Sequence, residues 1–188
     1  ACGEAGAICT DSASDYERLQ SLRYSGTIGR ENCVELSHNG RMDTMQAAIL
    51  LARLDWAEEE QLQRAALADR YRAGLVNISQ VISLPQQNSS QLLGRPEKHA
   101  FYTYTVRVEQ RDELQAYLLA KGIECKVRHP LLMPQHLAYQ DRVQKGDDQK
   151  LWPRACRYLN EILSLPIYAS MPAEHVDEVL SEIQKFYS

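Results

Sequence analysis

The chain has 188 residues, of which 44% are hydrophobic and 24% charged, with a formal net charge of -4. That balance suits one folded domain or two small ones and excludes a disordered, collagenous or coiled-coil chain. No run approaches the roughly 18 apolar residues of a membrane helix, and no broad basic excess exists to hold nucleic acid or anionic lipid, so membrane and nucleic acid are set aside as partners.

Gly3-Glu4-Ala5-Gly6-Ala7-Ile8-Cys9-Thr10 reads as a loop running into a strand. A strand with nothing before it suggests a piece of a longer polypeptide. Residues Asp11 to Ser14 offer helix caps, and Tyr16, Leu19 and Leu22 follow at helical spacing up to a stop at Gly26. Residues 26–38 are polar with two glycines and predict a loop. From Asp43, where Asp43-x-x-Gln46 resembles a capping box, an apolar face of Met45, Ala48, Ile49, Ala52 and Leu54 to Trp56 predicts one long helix over 43–75, with Gly74 near its end.

Val81 to Pro85 predicts a short strand, residues 86–98 a loop, and Ala100 to Val108 a strand rich in aromatic and β-branched residues. Asp112 is the expected cap of a helix through Lys121, with Gly122 as its stop. Ile123 to Arg128 is the next strand, giving a βαβ or split-βαβ unit. Residues 129–150, with two prolines, read as a long loop of the kind that often carries function. Pro153 opens a helix to about Ile162, Leu163 to Pro166 is a short strand, and Pro172 starts a last helix with Val176, Val179, Leu180, Ile183 and Phe186 on one face. Residues 1–75 therefore look like the tail of one α/β domain with a connecting helix, and 76–188 like a complete small α+β domain. The first part is expected to expose apolar faces that a missing half would cover.

The five cysteines, Cys2, Cys9, Cys33, Cys125 and Cys156, are odd in number and lack a CxxC pair. They read as reduced, mostly buried side chains of a cytoplasmic protein rather than disulfides or zinc ligands. Nucleotide-binding glycine loops, nucleophile elbows and HExxH are absent, and the five histidines are dispersed. Three segments carry candidate chemistry. Asn39 and Arg41 precede the longest helix, where an amide and a guanidinium suit a phosphate or carboxylate; the plain alternative is a capped helix with a surface arginine. Lys126, Arg128 and His129 cluster at a strand end that suits an anionic ligand or is simply exposed. Gly3 and Gly6 permit close backbone approach or a plain turn.

Taken together these segments resemble the DegT/DnrJ/EryC1/StrS family of sugar aminotransferases, which depend on pyridoxal 5'-phosphate. Gly3 to Thr10 is similar to the family's GE-x-GA-x-x-T strand, and Leu22-Arg23-Tyr24-Ser25-Gly26 to its LR-x-HG turn. His38 to Leu50 is similar to x-N-x-R-[LM]-D-x-x-QAAIL, the most specific of the matches. Gly122-Ile123-Glu124 with Arg128-His129-Pro130 is similar to GIE…HYP, and Leu163 to Pro166 to the late LSLP strand. The blocks agree in order and spacing over essentially the whole chain.

The resemblance implies an α/β protein of fold type I (aspartate-aminotransferase-like): the end of the large domain in 1–75 and the small C-terminal domain in 76–188. It implies transfer of an amino group from glutamate to a keto group of a nucleotide-linked sugar, for surface-polysaccharide, lipopolysaccharide or related glycan biosynthesis. A 3-keto sugar is the leading expectation and a 4-keto sugar the alternative. The covalent lysine of the family lies before the GE-x-GA strand. No catalytic residue is therefore expected in this chain, since none of Lys98, Lys121, Lys126, Lys145, Lys150 and Lys185 occupies that position. By position in the family motifs, Asn39 is implied to hold the cofactor phosphate of the neighbouring subunit of a homodimer with shared active sites. Arg41 is implied at a substrate anion or the active-site rim, and Arg128 and His129 where the family lines its substrate pocket with a His-Tyr pair. The displaced histidine means that either Arg128 takes the pocket position or the loop shifts register. Arg128 would favour an acidic group, a uronic carboxylate or a diphosphate. Ser25 stands where the family has histidine. A cyclitol aminotransferase, a dehydratase-type or non-catalytic member lacking the lysine, and a free-standing interaction domain are the rival readings.

Overall fold

The structure, a computed structural model, describes residues 3–29, 31–85, 91–92, 95–96, 99–139 and 148–188. Cys2, Lys98, Lys145 and parts of the expected loops 86–98 and 129–150 lie outside the described residues. The chain divides into two compact units, Ala1–Glu58 and Glu59–Ser188.

In the first unit, helix α1 (Ala13–Arg23) starts where Ser12 Oγ accepts the Asp15 amide at 3.3 Å, satisfying one orphan donor of the first turn. It ends where the amides of Tyr24 and Gly26 both donate to Ser21 O at 2.9 Å. Gly26 has φ +72°, the left-handed region that glycine enters without a Cβ penalty. The stretch read as a loop contains a hairpin, β1 (Thr27–Ile28) against β2 (Asn32–Cys33). Strands of two residues are too short to leave an alternating pattern.

Three further expectations for this unit are corrected. Residues 4–10 form no strand and pair with no ladder among the described residues. The capping box is absent: Asp43 makes no side-chain cap bond, and Gln46 Nε2 instead donates to Glu4 O at 2.7 Å. The long helix is two helices, α2 (Thr44–Leu54) and α3 (Ala57–Leu75), separated at Asp55 and Trp56, where the Trp56 amide turns back to Arg53 O. Both are weak helix formers, and an apolar period that resumes after one turn hides the break. Helix α2 buries none of its residues; Met45, Leu51 and Leu54 are exposed.

The second unit is built on an antiparallel sheet ordered β3 (Val81–Ser83), β6 (Tyr104–Val108), β7 (Ile162–Leu165). A separate hairpin pairs β4 (Gln91–Leu92) with β5 (Arg95–Pro96), inside the stretch expected to be loop. Strand β6 alternates as a half-buried strand should: Tyr104, Val106 and Val108 face the core. On its other face Thr105 bonds Ser164 and Arg107 pairs with Glu161. The strand is shorter than the run from Ala100, because Phe101 adopts φ +46° and its amide donates to His99 Nδ1.

Helix α4 (Arg111–Ala120) begins one residue before the expected cap. Gln110 is the cap residue, and Asp112 sits in the first turn, accepting from Arg111 Nε at 2.6 Å. Its end is as expected: the Gly122 amide reaches Leu119 O and the Ile123 amide Leu118 O, with Gly122 at φ +81°, the double bond of a Schellman stop. The strand expected at 123–128 reduces to one antiparallel bridge, Lys126 with Ser164. Ser164 also pairs with Thr105, so β7 lies between β6 and this segment and the connection is a split βαβ. The long loop holds two 3-10 turns, Met133–Gln135 and Leu137–Tyr139, before the short α5 (Asp148–Leu151). Helices α6 (Pro153–Glu161) and α7 (Ala173–Tyr187) complete the unit as the sequence predicts.

The core gathers Leu114 and Leu118 of α4, Val176, Val179, Leu180 and Ile183 of α7, the inner face of β6 and β7, and Leu67, Ala68, Tyr71 and Leu75 of α3. By packing, α3 thus belongs to the second unit. Gly74 is needed there for approach: a Cβ would lie 2.5 Å from Leu180 Cδ1. Of the four cysteines described only Cys125 is buried, its thiol pushed up to about 12 by burial. Cys156 is half-buried and Cys9 and Cys33 are exposed, which corrects the expectation of mostly buried cysteines. Tyr104 is fully buried yet its hydroxyl has no hydrogen-bond partner among the described residues, and burial pushes its ionisation up to about 12. Since an unpaired buried hydroxyl is costly, Tyr104→Phe is expected to raise stability by about 1 kcal/mol, read as a higher urea midpoint at unchanged slope.

Candidate functional site

Two clusters gather the residues singled out in the sequence, one in each unit. In the first, the segment leading to α2 is pinned to the chain leaving α1. Ser37 Oγ donates to Leu22 O at 2.8 Å and the Gly40 amide to Arg23 O at 3.1 Å. Tyr24 and Asn39 form an isolated antiparallel bridge between these two. The Asn39 carboxamide oxygen accepts the Arg41 amide at 3.2 Å, which fixes the side chain and turns its NH2 group to other work. The Arg41 guanidinium carbon lies 4.6 Å from the centroid of the Tyr24 ring, and that of Arg23 5.7 Å from the same ring. Asn39 and Arg41 are both exposed. An oriented amide donor beside a guanidinium seated on an aromatic ring can receive phosphate or carboxylate oxygens.

The second cluster follows the Lys126 bridge. Gln115 Nε2 donates to Cys125 O at 2.9 Å, holding the segment to α4. Lys126 pairs with Glu124 at 3.0 Å. Arg128 and His129 are exposed and line a shallow depression beside Tyr102; Arg128 also reaches a neighbouring groove of about 470 Å³. Among the described residues no ladder continues beyond Lys126, so the alternation of a strand does not decide between Arg128 and His129.

The structure therefore brings Asn39 together with Arg41, and Arg128 together with His129. Sequence reasoning missed two tyrosines. Tyr24 stood inside a turn motif without a sign that two arginines converge on it, and Tyr102 was read as one more strand residue. Ser25, between Tyr24 and Gly26, takes φ +61°.

The chain shares the fold of about half of a pyridoxal-phosphate-dependent transferase of fold type I. Streptomyces venezuelae DesV, solved in complex with a ketimine intermediate, superposes with a TM-score of 0.82 at 28% identity, covering 95% of this chain and 46% of its own. The chain belongs to the DegT/DnrJ/EryC1/StrS aminotransferase family, whose model matches residues 1–184. Among curated relatives, the dTDP-3-amino-3,4,6-trideoxy-alpha-D-glucose transaminase of Streptomyces venezuelae is 30% identical over 98% of this chain and 46% of its own length. The dTDP-3-amino-3,6-dideoxy-alpha-D-galactopyranose transaminase of Aneurinibacillus thermoaerophilus is 28% identical over 96% and 46%. The chain thus spans about half the length of the curated relatives it matches. Among the described residues, no helix is long and apolar enough to cross a membrane.

Proposed function

We propose that the chain is the C-terminal part of an aminotransferase that uses pyridoxal 5'-phosphate to move an amino group from glutamate to a keto group of a nucleotide-linked sugar, in the synthesis of a surface polysaccharide or related glycan. The observation that carries this reading is the family match from residue 1 to residue 184. In this reading residues 1–75 are the tail of the large domain with a connecting helix, whose second part, α3, packs into the core of the small domain formed by residues 76–188, and the enzyme works in the cytoplasm as a homodimer with shared active sites.

The residues present fit such a cofactor. With its oxygen engaged by the Arg41 amide, Asn39 has its NH2 donors to offer a phosphate, and it would hold the phosphate of the neighbouring subunit. Arg41, seated on Tyr24, would orient an anionic group of the substrate. Arg128 and His129 would line the substrate pocket. When bound, the cofactor supplies the electron sink for the transfer. The chain contributes anchoring and orientation, and the covalent lysine comes from residues outside it, so the chain alone is expected to be inactive.

The test uses the full-length parent. Glutamate and a dTDP- or UDP-linked 3-keto sugar should yield 2-oxoglutarate and the amino sugar, and no turnover with 3- or 4-keto sugars contradicts the reading. Asn39→Ala is expected to weaken cofactor retention on the order of 10- to 100-fold, since one charge-assisted hydrogen bond contributes roughly 1.5–3 kcal/mol. Equilibrium dialysis checks this, and unchanged retention removes Asn39 from the cofactor site.

A further inference from the structure

The groove beside Lys126 in the second unit contains an arrangement that the family motifs do not supply. Lys126 has its charge offset by Glu124 at 3.0 Å. Arg128, by contrast, is in no ion pair among the described residues. Its guanidinium carbon lies 5.1 Å from the centroid of the Tyr102 ring. Tyr102 itself is 78% exposed and contributes nothing to the core. A guanidinium over an aromatic face loses part of its rotational freedom and keeps its N–H edges, a planar fork matched to the paired oxygens of a carboxylate or phosphate.

We infer that Tyr102 is a positioning residue that seats Arg128 to receive an anionic group of the nucleotide-linked sugar. The anion is either a carboxylate on the sugar or a phosphate of the nucleotide, since both present the same paired oxygens. The inference rests on the proposed function for the identity of the ligand, and on Arg128 and Tyr102 for its recognition.

The test is calorimetric titration of the full-length parent and its Arg128→Gln, Tyr102→Leu and Tyr102→Phe variants. The probes are UDP, UDP-glucose and UDP-glucuronate, with the thymidine diphosphate series alongside. Arg128→Gln is expected to weaken binding on the order of 10- to 100-fold, the size of a lost charge-assisted hydrogen bond, and Tyr102→Leu about fivefold, the size of an exposed cation–π contact. Tyr102→Phe keeps the ring and should stay within about twofold of the parent. A loss confined to the glucuronate assigns the anion to the sugar carboxylate. A loss shared by all three nucleotides assigns it to the diphosphate. Unchanged affinity in both Arg128→Gln and Tyr102→Leu overturns the inference, as do equal losses in Tyr102→Leu and Tyr102→Phe. A parent that binds these ligands but gives no spectral response to glutamate would end the aminotransferase reading and leave anion recognition standing; a responsive parent with unaffected variants would end the inference alone.

Discussion

Replacing Tyr71 with alanine is expected to lower the unfolding free energy of the second unit by about 3–5 kcal/mol, the usual range for deleting a buried aromatic side chain. Tyr71 is fully buried. Its ring stacks on Tyr104 with centroids 4.9 Å apart, and its hydroxyl donates to Pro166 O at 2.9 Å. The residue thus joins α3 to the sheet through β6 and to the chain leaving β7. Burial raises its ionisation well above the ordinary tyrosine value, so the ring is held neutral. Truncation leaves a void that the surrounding side chains fill only in part, and an orphaned carbonyl at Pro166. Tyr71→Phe separates the two effects: it keeps the ring and should cost only about 1–2 kcal/mol for the lost bond. Urea denaturation followed by circular dichroism reads both, and an alanine variant within about 1 kcal/mol of the parent would remove Tyr71 from the core.

Gly26→Ala is the second large effect, and it acts on the first unit. At φ +72° an L-residue costs roughly 1–2 kcal/mol. The added Cβ would also lie 1.7 Å from the backbone oxygen of Glu35, and backbone cannot swing away as a side chain does. The Gly26 carbonyl accepts the Val34 amide at 2.8 Å, so the strain falls on the hairpin packed against the end of α1. The same turn carries Arg23 O, which receives the Gly40 amide, and Tyr24, which bridges Asn39. The variant is therefore expected to lose about 3 kcal/mol or more of local stability and to loosen the Asn39 and Arg41 segment. Hydrogen exchange at the Gly40 and Val34 amides measures this; unchanged protection at both would contradict the account.

The sequence revealed those features whose signals are local. The helix stops at Gly26 and Gly122 were legible because a left-handed turn demands glycine, and α7 because one face repeats at helical spacing. The split βαβ was legible in outline, but the strand at 123–128 shrank to a bridge because strand length depends on a neighbour supplying hydrogen bonds. For the same reason Gly3 to Thr10, with strand-like residues, forms no ladder among the described residues. The break at Asp55 and Trp56 was hidden by an apolar period that survives one irregular turn. Of the candidate site, the sequence supplied Asn39, Arg41, Arg128 and His129 by their place in motifs. It did not supply Tyr24 and Tyr102, because a ring under a guanidinium is a tertiary contact between residues whose spacing carries no pattern.

The most direct measurement is the visible absorption spectrum of the full-length parent, purified without added cofactor, before and after addition of glutamate. The account predicts a polypeptide about twice the length of this chain, with an absorption band of bound pyridoxal phosphate that changes when glutamate is added and returns with a keto sugar nucleotide. A parent without that band, also after incubation with pyridoxal phosphate, would contradict the aminotransferase reading.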